Sequence, residues 1–162
     1  MASSNNFYPS SLPGLSDREA VIDAVLRACA SIDTKDKALW DSAWSKTRSS
    51  EVGFTFRGEQ ATVGKDKVDQ LFAHVSKLDT HHATTSIRAW IHPDGKTASL
   101  QAACINNHLP TGSTAKGAMD VYFLVGGRYE VSLVREDEGW KMLQWDMTMA
   151  WTQGDRAAVM QG

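Results

Sequence analysis

The sequence predicts an α+β domain in which helices cover one face of a curved antiparallel sheet, a cone-shaped plan with a pocket inside. One observation is a change of period, since helical spacing of apolar residues predominates up to about residue 78, whereas apolar residues recur at every second position from residue 82 onward. The other is size, because 162 residues with 42% hydrophobic and 22% charged side chains suit one domain with one core.

The N-terminal half is predicted to run helix, helix, strand, helix. Ser16 and Glu19 fit a capping box ahead of an apolar stripe that ends at Ile32. After "DTKD" breaks this stripe, a short helix is expected from Lys37 to Trp44. The segment "EVGFTFRG" alternates as a strand does, and "GKDKVDQLFAHVSKL" has the spacing of a third helix.

Long antiparallel strands are predicted for the remainder. The segments "ATTSIRAWIH" and "TASLQAACINNHL" alternate on either side of the turn "PDGK". A long strand is expected in "AMDVYFLVGGRYEVSLVRE", where Gly126 and Gly127 indicate a bulge or bend. The last strand, "WKMLQWDMTMAW", is rich in Trp and Met, which predicts a homo-oligomer, a dimer or a trimer.

Composition argues against several classes of function. The net charge is −2 with scattered Lys and Arg, so no nucleic-acid partner is expected. No run of about 18 apolar residues predicts a membrane span, and the N-terminus lacks the pattern of a signal peptide. Cys29 and Cys104 are expected to be buried free thiols in a reducing compartment, which favours a cytoplasmic location.

Asp33 and His108 are the first candidates for chemistry. Asp33 ends the first helix, where a carboxylate is disfavoured by the helix dipole, so it is either a turn residue or a pocket group that holds a histidine. His108 continues an apolar strand face, as a core histidine would, or as an acid or base oriented by an aspartate would.

The doublet in "LDTHHATT" supplies a second histidine. A two-residue turn would place His81 opposite His108, and a three-residue loop would place His82 there. Alternation leans towards His81, but a bulge near residues 83 to 86 would reverse that choice. Two His and one Asp could bind a metal, yet neither HxH nor HxxxH spacing nor a phosphate loop occurs, so no metal or cofactor is expected.

Several segments together resemble the SnoaL-like and scytalone dehydratase-like family: "SIDTKDKALWDSAW", "KLDTHHATTSIRAWI", "GGRYEVSLVREDEGWKM" and "WTQGD". The resemblance covers residues 15–155 and implies the nuclear-transport-factor-2-like α+β barrel. Residues 1–14 are rich in Ser, Asn and Pro and are expected to be a flexible arm, and residues 156–162 are expected to be a tail able to form a short helix at the pocket mouth.

The resemblance also assigns site residues. Asp33 matches the family's aspartate, His108 the histidine paired with it, and Thr80 and His82 the T-x-H element, which selects His82 over His81. The pocket is expected to be lined by five aromatic residues: Trp40, Phe54, Tyr122, Tyr129 and Trp145. Ile32 and Phe54 stand where the dehydratase has tyrosines that hold a water, so the resemblance implies a substrate other than scytalone.

The implied function is a cofactor-free lyase or isomerase of secondary metabolism, a dehydratase, isomerase or cyclase acting on a hydroxylated or carbonyl polyketide- or terpenoid-like molecule. His82 is expected to take a proton beside a carbonyl, and His108, kept basic by Asp33, to donate one. The alternatives are a non-catalytic binding or dimerisation module of the same fold, and epoxide opening with Asp146 and Arg88.

Overall fold

The computed structural model describes residues 9–56 and 59–160, and within them one curved six-stranded sheet has the strand order β2-β1-β6-β5-β4-β3. All neighbouring strands are antiparallel except β1 and β6, which are parallel. The elements are α1 (Asp17–Thr34), α2 (Lys37–Ala43), β1 (Gly53–Phe56), β2 (Thr62–Val63), α3 (Lys65–Val75), β3 (Asp79–Ile91), β4 (Thr97–Leu109), α4 (Ser113–Lys116), β5 (Phe123–Glu136), β6 (Gly139–Gly154) and α5 (Arg156–Met160).

The first helix forms as its sequence predicts. The Ser16 side chain accepts a hydrogen bond from the Glu19 amide, and the Glu19 carboxylate accepts one from the Ser16 amide, so the capping box is present. The apolar stripe of α1 packs against β3 and β6. Lys35 then adopts the left-handed conformation, φ 59°, and ends the helix. Asp33 is thereby held in the last turn of α1, beside β3.

A bulge in β3 sets which side chains face the interior. Ile91 pairs with Ala98 near the turn, and the register shifts between Thr85 and Arg88. Ser86 lies in this gap with φ 51°, a conformation that few non-glycine residues adopt. Because the shift adds one residue to β3, it brings the even-numbered residues before it to the concave face.

The predicted irregularity at Gly126 and Gly127 is confirmed. The register between β5 and β6 shifts at these two residues, leaving Ala150 of β6 without a Cα partner. A Cβ atom on Gly127 would lie 2.2 Å from the Thr148 carbonyl oxygen, so a larger residue would push the two strands apart.

The core fills the space between the helices and the concave face of the sheet. Its largest fully buried side chains include Trp44, Tyr129, Leu39 and Leu100. The predicted free thiols are both buried and unpaired, and burial raises the pKa of Cys29 to about 12.

Some boundaries differ from the predictions. The elements β2 and α4 were not predicted, and β5 begins at Phe123 rather than near residue 118. Residues 156–160 form α5, and Val159 is 1% exposed, so this part of the expected tail packs on the domain. Residues 1–8 of the expected arm lie outside the described residues. No helix in the described part of the chain is long and apolar enough to cross a membrane.

Candidate active site

A cavity of about 120 Å³ lies between the concave face of the sheet, α3 and α5. Most of its wall is aromatic or aliphatic, which suits a ring-bearing apolar ligand. The polar side chains that line it are His82, Asn106, His108, Glu59 and Arg156, of which the last two are exposed.

Asp33 and His82 form a closely hydrogen-bonded pair at the wall of this cavity. The Nδ1 atom of His82 lies 2.6 Å from Asp33 Oδ1, and the His82 backbone amide donates to Asp33 Oδ2 at 2.8 Å. Thr80 donates its hydroxyl to Oδ1 at 2.8 Å. The His82 side chain is 5% exposed, so both the position and the ring orientation of the histidine are fixed.

The charge of Asp33 determines the tautomer of His82. Burial alone would raise the pKa of the Asp33 carboxyl, but the hydrogen bonds and charge attraction from His82, with the Thr80 hydroxyl, outweigh it and hold the pKa below its usual value. An ionised carboxylate only accepts hydrogen bonds, so Nδ1 of a neutral His82 carries the proton. Its Nε2 is then an unprotonated acceptor, as a general base requires.

His108 stands beside His82 but has a different environment. The two ring centroids are 5.6 Å apart, and the planes are nearly perpendicular at 87°. Nδ1 of His108 lies 3.3 Å from the Phe123 carbonyl oxygen. Burial, with repulsion from His82, lowers the pKa of His108 to about 4, so the ring is neutral at pH 7.

Two expectations about these histidines are therefore wrong. Asp33 pairs with His82 and not with His108, because α1 ends beside the start of β3. His108 is consequently not kept basic. The β3–β4 register sets Thr80 opposite His108 and His82 opposite Asn106, so neither histidine of the doublet directly opposes His108. The choice of His82 as the inward member is confirmed, and His81 is exposed.

Four of the five aromatic residues expected in the pocket line the cavity, namely Trp40, Phe54, Tyr129 and Trp145. Trp40 stacks on Phe72 of α3 at 4.9 Å and donates its indole N–H to Asp69. Tyr122 is not among the lining residues. It precedes β5, and its hydroxyl accepts a hydrogen bond from Gln153, so its expected place in the pocket is wrong.

Three polar lining residues were not predicted from the sequence, namely Glu59, Asn106 and Arg156. Asn106 could have been found from parity, since it shares the strand face of Cys104 and His108. Arg156 gives no comparable pattern in the sequence. Asp146 and Arg88, the pair considered for epoxide opening, do not line the cavity, and Arg88 is exposed on the outer face of the sheet.

Comparison with known proteins identifies the family of this chain. The SnoaL-like domain pattern matches residues 13–146. A Penicillium crustosum protein, terrestric acid biosynthesis cluster protein E, is 33% identical over 148 residues, which are 90% of each chain. The chain belongs to the SnoaL-like domain family.

Solved structures share the nuclear-transport-factor-2-like fold of this SnoaL-like protein. A candidate scytalone dehydratase from Novosphingobium aromaticivorans has a TM-score of 0.71 at 12% identity, covering 85% of this chain and 87% of the other. Hexachlorocyclohexane dehydrochlorinase LinA-type3 from Novosphingobium barchaimii has a TM-score of 0.67 at 16% identity, covering 86% and 90%. At these identities the likeness concerns the fold.

Proposed function

We propose that this SnoaL-like protein is a cofactor-free lyase or isomerase of secondary metabolism, with His82 as the group that moves the proton. The observation that carries the proposal is the Asp33–His82 contact of 2.6 Å at the wall of an apolar cavity. The membership of the Penicillium crustosum relative in a biosynthesis cluster supports the pathway class. Two fold neighbours are named as a candidate scytalone dehydratase and a hexachlorocyclohexane dehydrochlorinase, names that denote eliminations, which supports the reaction class.

The proposed reaction begins at a carbon next to a carbonyl group. Nε2 of His82 takes the proton, the C–H electron pair enters the new C=C bond, and the carbonyl oxygen becomes an enolate oxygen. The imidazolium that forms is adjacent to the Asp33 carboxylate, so its charge is compensated without a metal. His82 then returns the proton to a departing hydroxyl, giving water, or to another carbon, giving an isomer. In a ring closure, the enolate carbon instead attacks a second carbonyl carbon of the same molecule, and His82 gives the proton to the alkoxide oxygen that forms.

His108 has a different role in this proposal from the one that the resemblance implied. Because its pKa is about 4, it cannot serve as a cationic acid near neutral pH. When Nδ1–H is directed at the Phe123 carbonyl, Nε2 is an acceptor for a substrate hydroxyl. It therefore binds and orients the hydroxyl, while His82 alone moves the proton.

The test is incubation of the protein with hydroxylated polyketide and terpenoid ketones, followed by mass spectrometry. Loss of one water from the substrate mass indicates a dehydratase, whereas a new product of unchanged mass indicates an isomerase or cyclase. His82→Gln should lower the rate by about 10²–10⁴-fold. His81→Gln is the matched control, since the adjacent exposed imidazole should be dispensable.

The main alternative is a non-catalytic module that binds the same class of ligand. That alternative gains support if the wild-type protein binds these ketones without converting them and His82→Gln binds them equally well. The hydrogen bonds of Asp33 argue against this alternative. Asp33 accepts three hydrogen bonds, two of them from His82, and the binding of an apolar ligand alone does not require the His82 ring to be oriented in this way.

A further inference from the structure

A buried amide stands directly beside the proposed base. Asn106 lines the cavity and is 3% exposed, and its Cα partner across the β3–β4 pair is His82. Directly opposed residues of antiparallel strands project to the same face, with Cβ atoms about 4.5–5.5 Å apart. The Asn106 amide and the His82 imidazole are therefore neighbours on one wall.

The contacts of Asn106 fix which end of its amide is available. The Tyr129 hydroxyl donates to Asn106 Oδ1 at 2.8 Å, and burial raises the pKa of this phenol well above its usual value, so it retains the donated proton. Asn106 Nδ2 lies 3.9 Å from Met147 Sδ. A thioether is a weak acceptor, so the amide keeps donor capacity that its protein neighbours do not use.

Of the other donors in the described cavity wall, Arg156 is exposed and the buried ones are engaged or enclosed. The Trp40 indole N–H is bound to Asp69, and Nδ1 of His108 is directed at a backbone carbonyl. Trp145 has an indole nitrogen without a hydrogen-bond partner, but that atom is buried and the ring is perpendicular to Tyr129 at 4.9 Å. Ile32, which lines the same cavity, has no polar side-chain atom.

We propose that Asn106 Nδ2 donates a hydrogen bond to the carbonyl oxygen of the substrate and to the enolate oxygen that forms when His82 removes the adjacent proton. The inference rests on the proposed function and narrows its substrate class to ring-bearing enolisable ketones. The proton passes from carbon to His82 Nε2, the C–H electron pair enters the new C=C bond, and the π pair of the C=O bond moves to the oxygen that Asn106 holds. No oxidant or reductant is needed. Tyr129 is a positioning residue that aims the amide.

The enolate carries more charge on oxygen than the ketone does, so the hydrogen bond strengthens as the proton leaves. Removal of one such donor typically lowers the rate constant by about 10²–10³-fold. The affinity for the neutral ketone should fall by less than about tenfold, since a single neutral hydrogen bond contributes little to net binding.

The experiment uses 2-tetralone, a bicyclic enolisable ketone, with the intact protein. Infrared spectroscopy measures the carbonyl stretch of the bound ketone, and proton NMR in D₂O measures exchange of its α-protons above the buffer rate. The variants are Asn106→Leu and, with a smaller packing change, Tyr129→Phe. Asn107→Leu is the matched control, because the next residue of β4 points to the other face of the sheet.

The wild-type protein should lower the carbonyl frequency. Asn106→Leu should abolish that shift and slow exchange by about 10²–10³-fold with little change in affinity. Tyr129→Phe should reduce both effects, and Asn107→Leu should leave them unchanged. Equal carbonyl frequencies in wild type and Asn106→Leu overturn the inference, as does a wild-type protein that does not bind the ketone.

The two readouts separate this inference from the proposed function. If exchange depends on His82 but neither readout depends on Asn106, the proposed function stands and this inference fails. If the frequency shift depends on Asn106 while His82→Gln leaves exchange unchanged, the donor is correct and the proposed base is wrong.

Discussion

Substitution of Asp33 by Asn is the sharpest test of the Asp33–His82 pair. The asparagine has one oxygen to replace two carboxylate oxygens, which together accept from the Thr80 hydroxyl, the His82 backbone amide and His82 Nδ1. A backbone N–H can only donate, so the asparagine oxygen must take the place of Oδ2. The asparagine NH₂ group then faces Nδ1 of His82, which must become the acceptor.

The consequence is a His82 ring with its proton on the wrong nitrogen. Nε2, which faces the cavity, becomes protonated and can no longer accept a proton from a substrate. We expect the rate to fall by about 10²–10⁴-fold, towards the upper end, because both the orientation and the base form are lost. Serine proteases show a loss of about 10⁴-fold when an asparagine traps their histidine in the wrong tautomer.

The assay combines two measurements. Exchange of the α-protons of 2-tetralone gives the rate, and ¹⁵N chemical shifts of the His82 ring report which nitrogen is protonated. Thr80→Val is the control: it removes one hydrogen bond to the same carboxylate but keeps the charge, so the rate should stay within about tenfold of wild type. An Asp33→Asn protein with nearly full activity, or with an unchanged tautomer, would refute the reasoning.

The remaining predictions concern stability, the pocket mouth and assembly. The pKa of His108 is about 4 in the folded protein and about 6.5 in the unfolded chain, so its contribution to the free energy of unfolding is complete above pH 6.5. That contribution, about 3 kcal/mol, is lost as the pH falls towards 4. In urea unfolding, the free energy of unfolding should change less between pH 7.5 and pH 5 in His108→Gln than in the wild type. Val159→Asp should detach α5 from the core and weaken 2-tetralone binding several-fold in a fluorescence titration, whereas exposed Ala158→Asp should not. The Trp- and Met-rich last strand predicts a homo-oligomer. If it joins copies of the chain, Ile105→Lys should reduce the mass measured by light scattering, since Ile105 is 50% exposed and is separated from exposed Trp151 of that strand only by Gly126.

Elements with a periodic pattern over many residues, or with a definite helix cap, were predictable from the sequence. The capping box at Ser16 marks the start of α1, and the alternation over residues 97–109 gives the bounds of β4. The strand β2 has two residues and α4 has four, too few to establish either period. Beside the turn, the β3–β4 register follows the two-residue option, and the bulge left open as an alternative then shifts it. The sequence could not select between these options, because Ser86 adopts a positive φ inside a strand and no residue-type preference predicts that.

The residues that form the site were predictable from the sequence, whereas the pairing of Asp33 with His82 was not. Asp33, His82 and His108 all lie at the cavity or adjoin it, but which histidine receives the carboxylate depends on where α1 ends against β3. The end of α1 is set by the left-handed conformation of Lys35, a local backbone feature that parity counts do not contain.

The pairing of Asp33 with His82 determines which histidine carries the proton, which the list of site residues alone does not. One carboxylate can compensate one imidazolium, and Asp33 compensates that of His82 through a direct hydrogen bond. A proton on His108 would be buried, and it would be repelled by any proton already on His82, which is why its pKa falls to about 4. The site therefore holds one transferable proton at a time and holds it on His82. If Asp33 paired with His108 instead, the acceptor and the proton carrier would exchange places, and Asn106 would no longer stand beside the base.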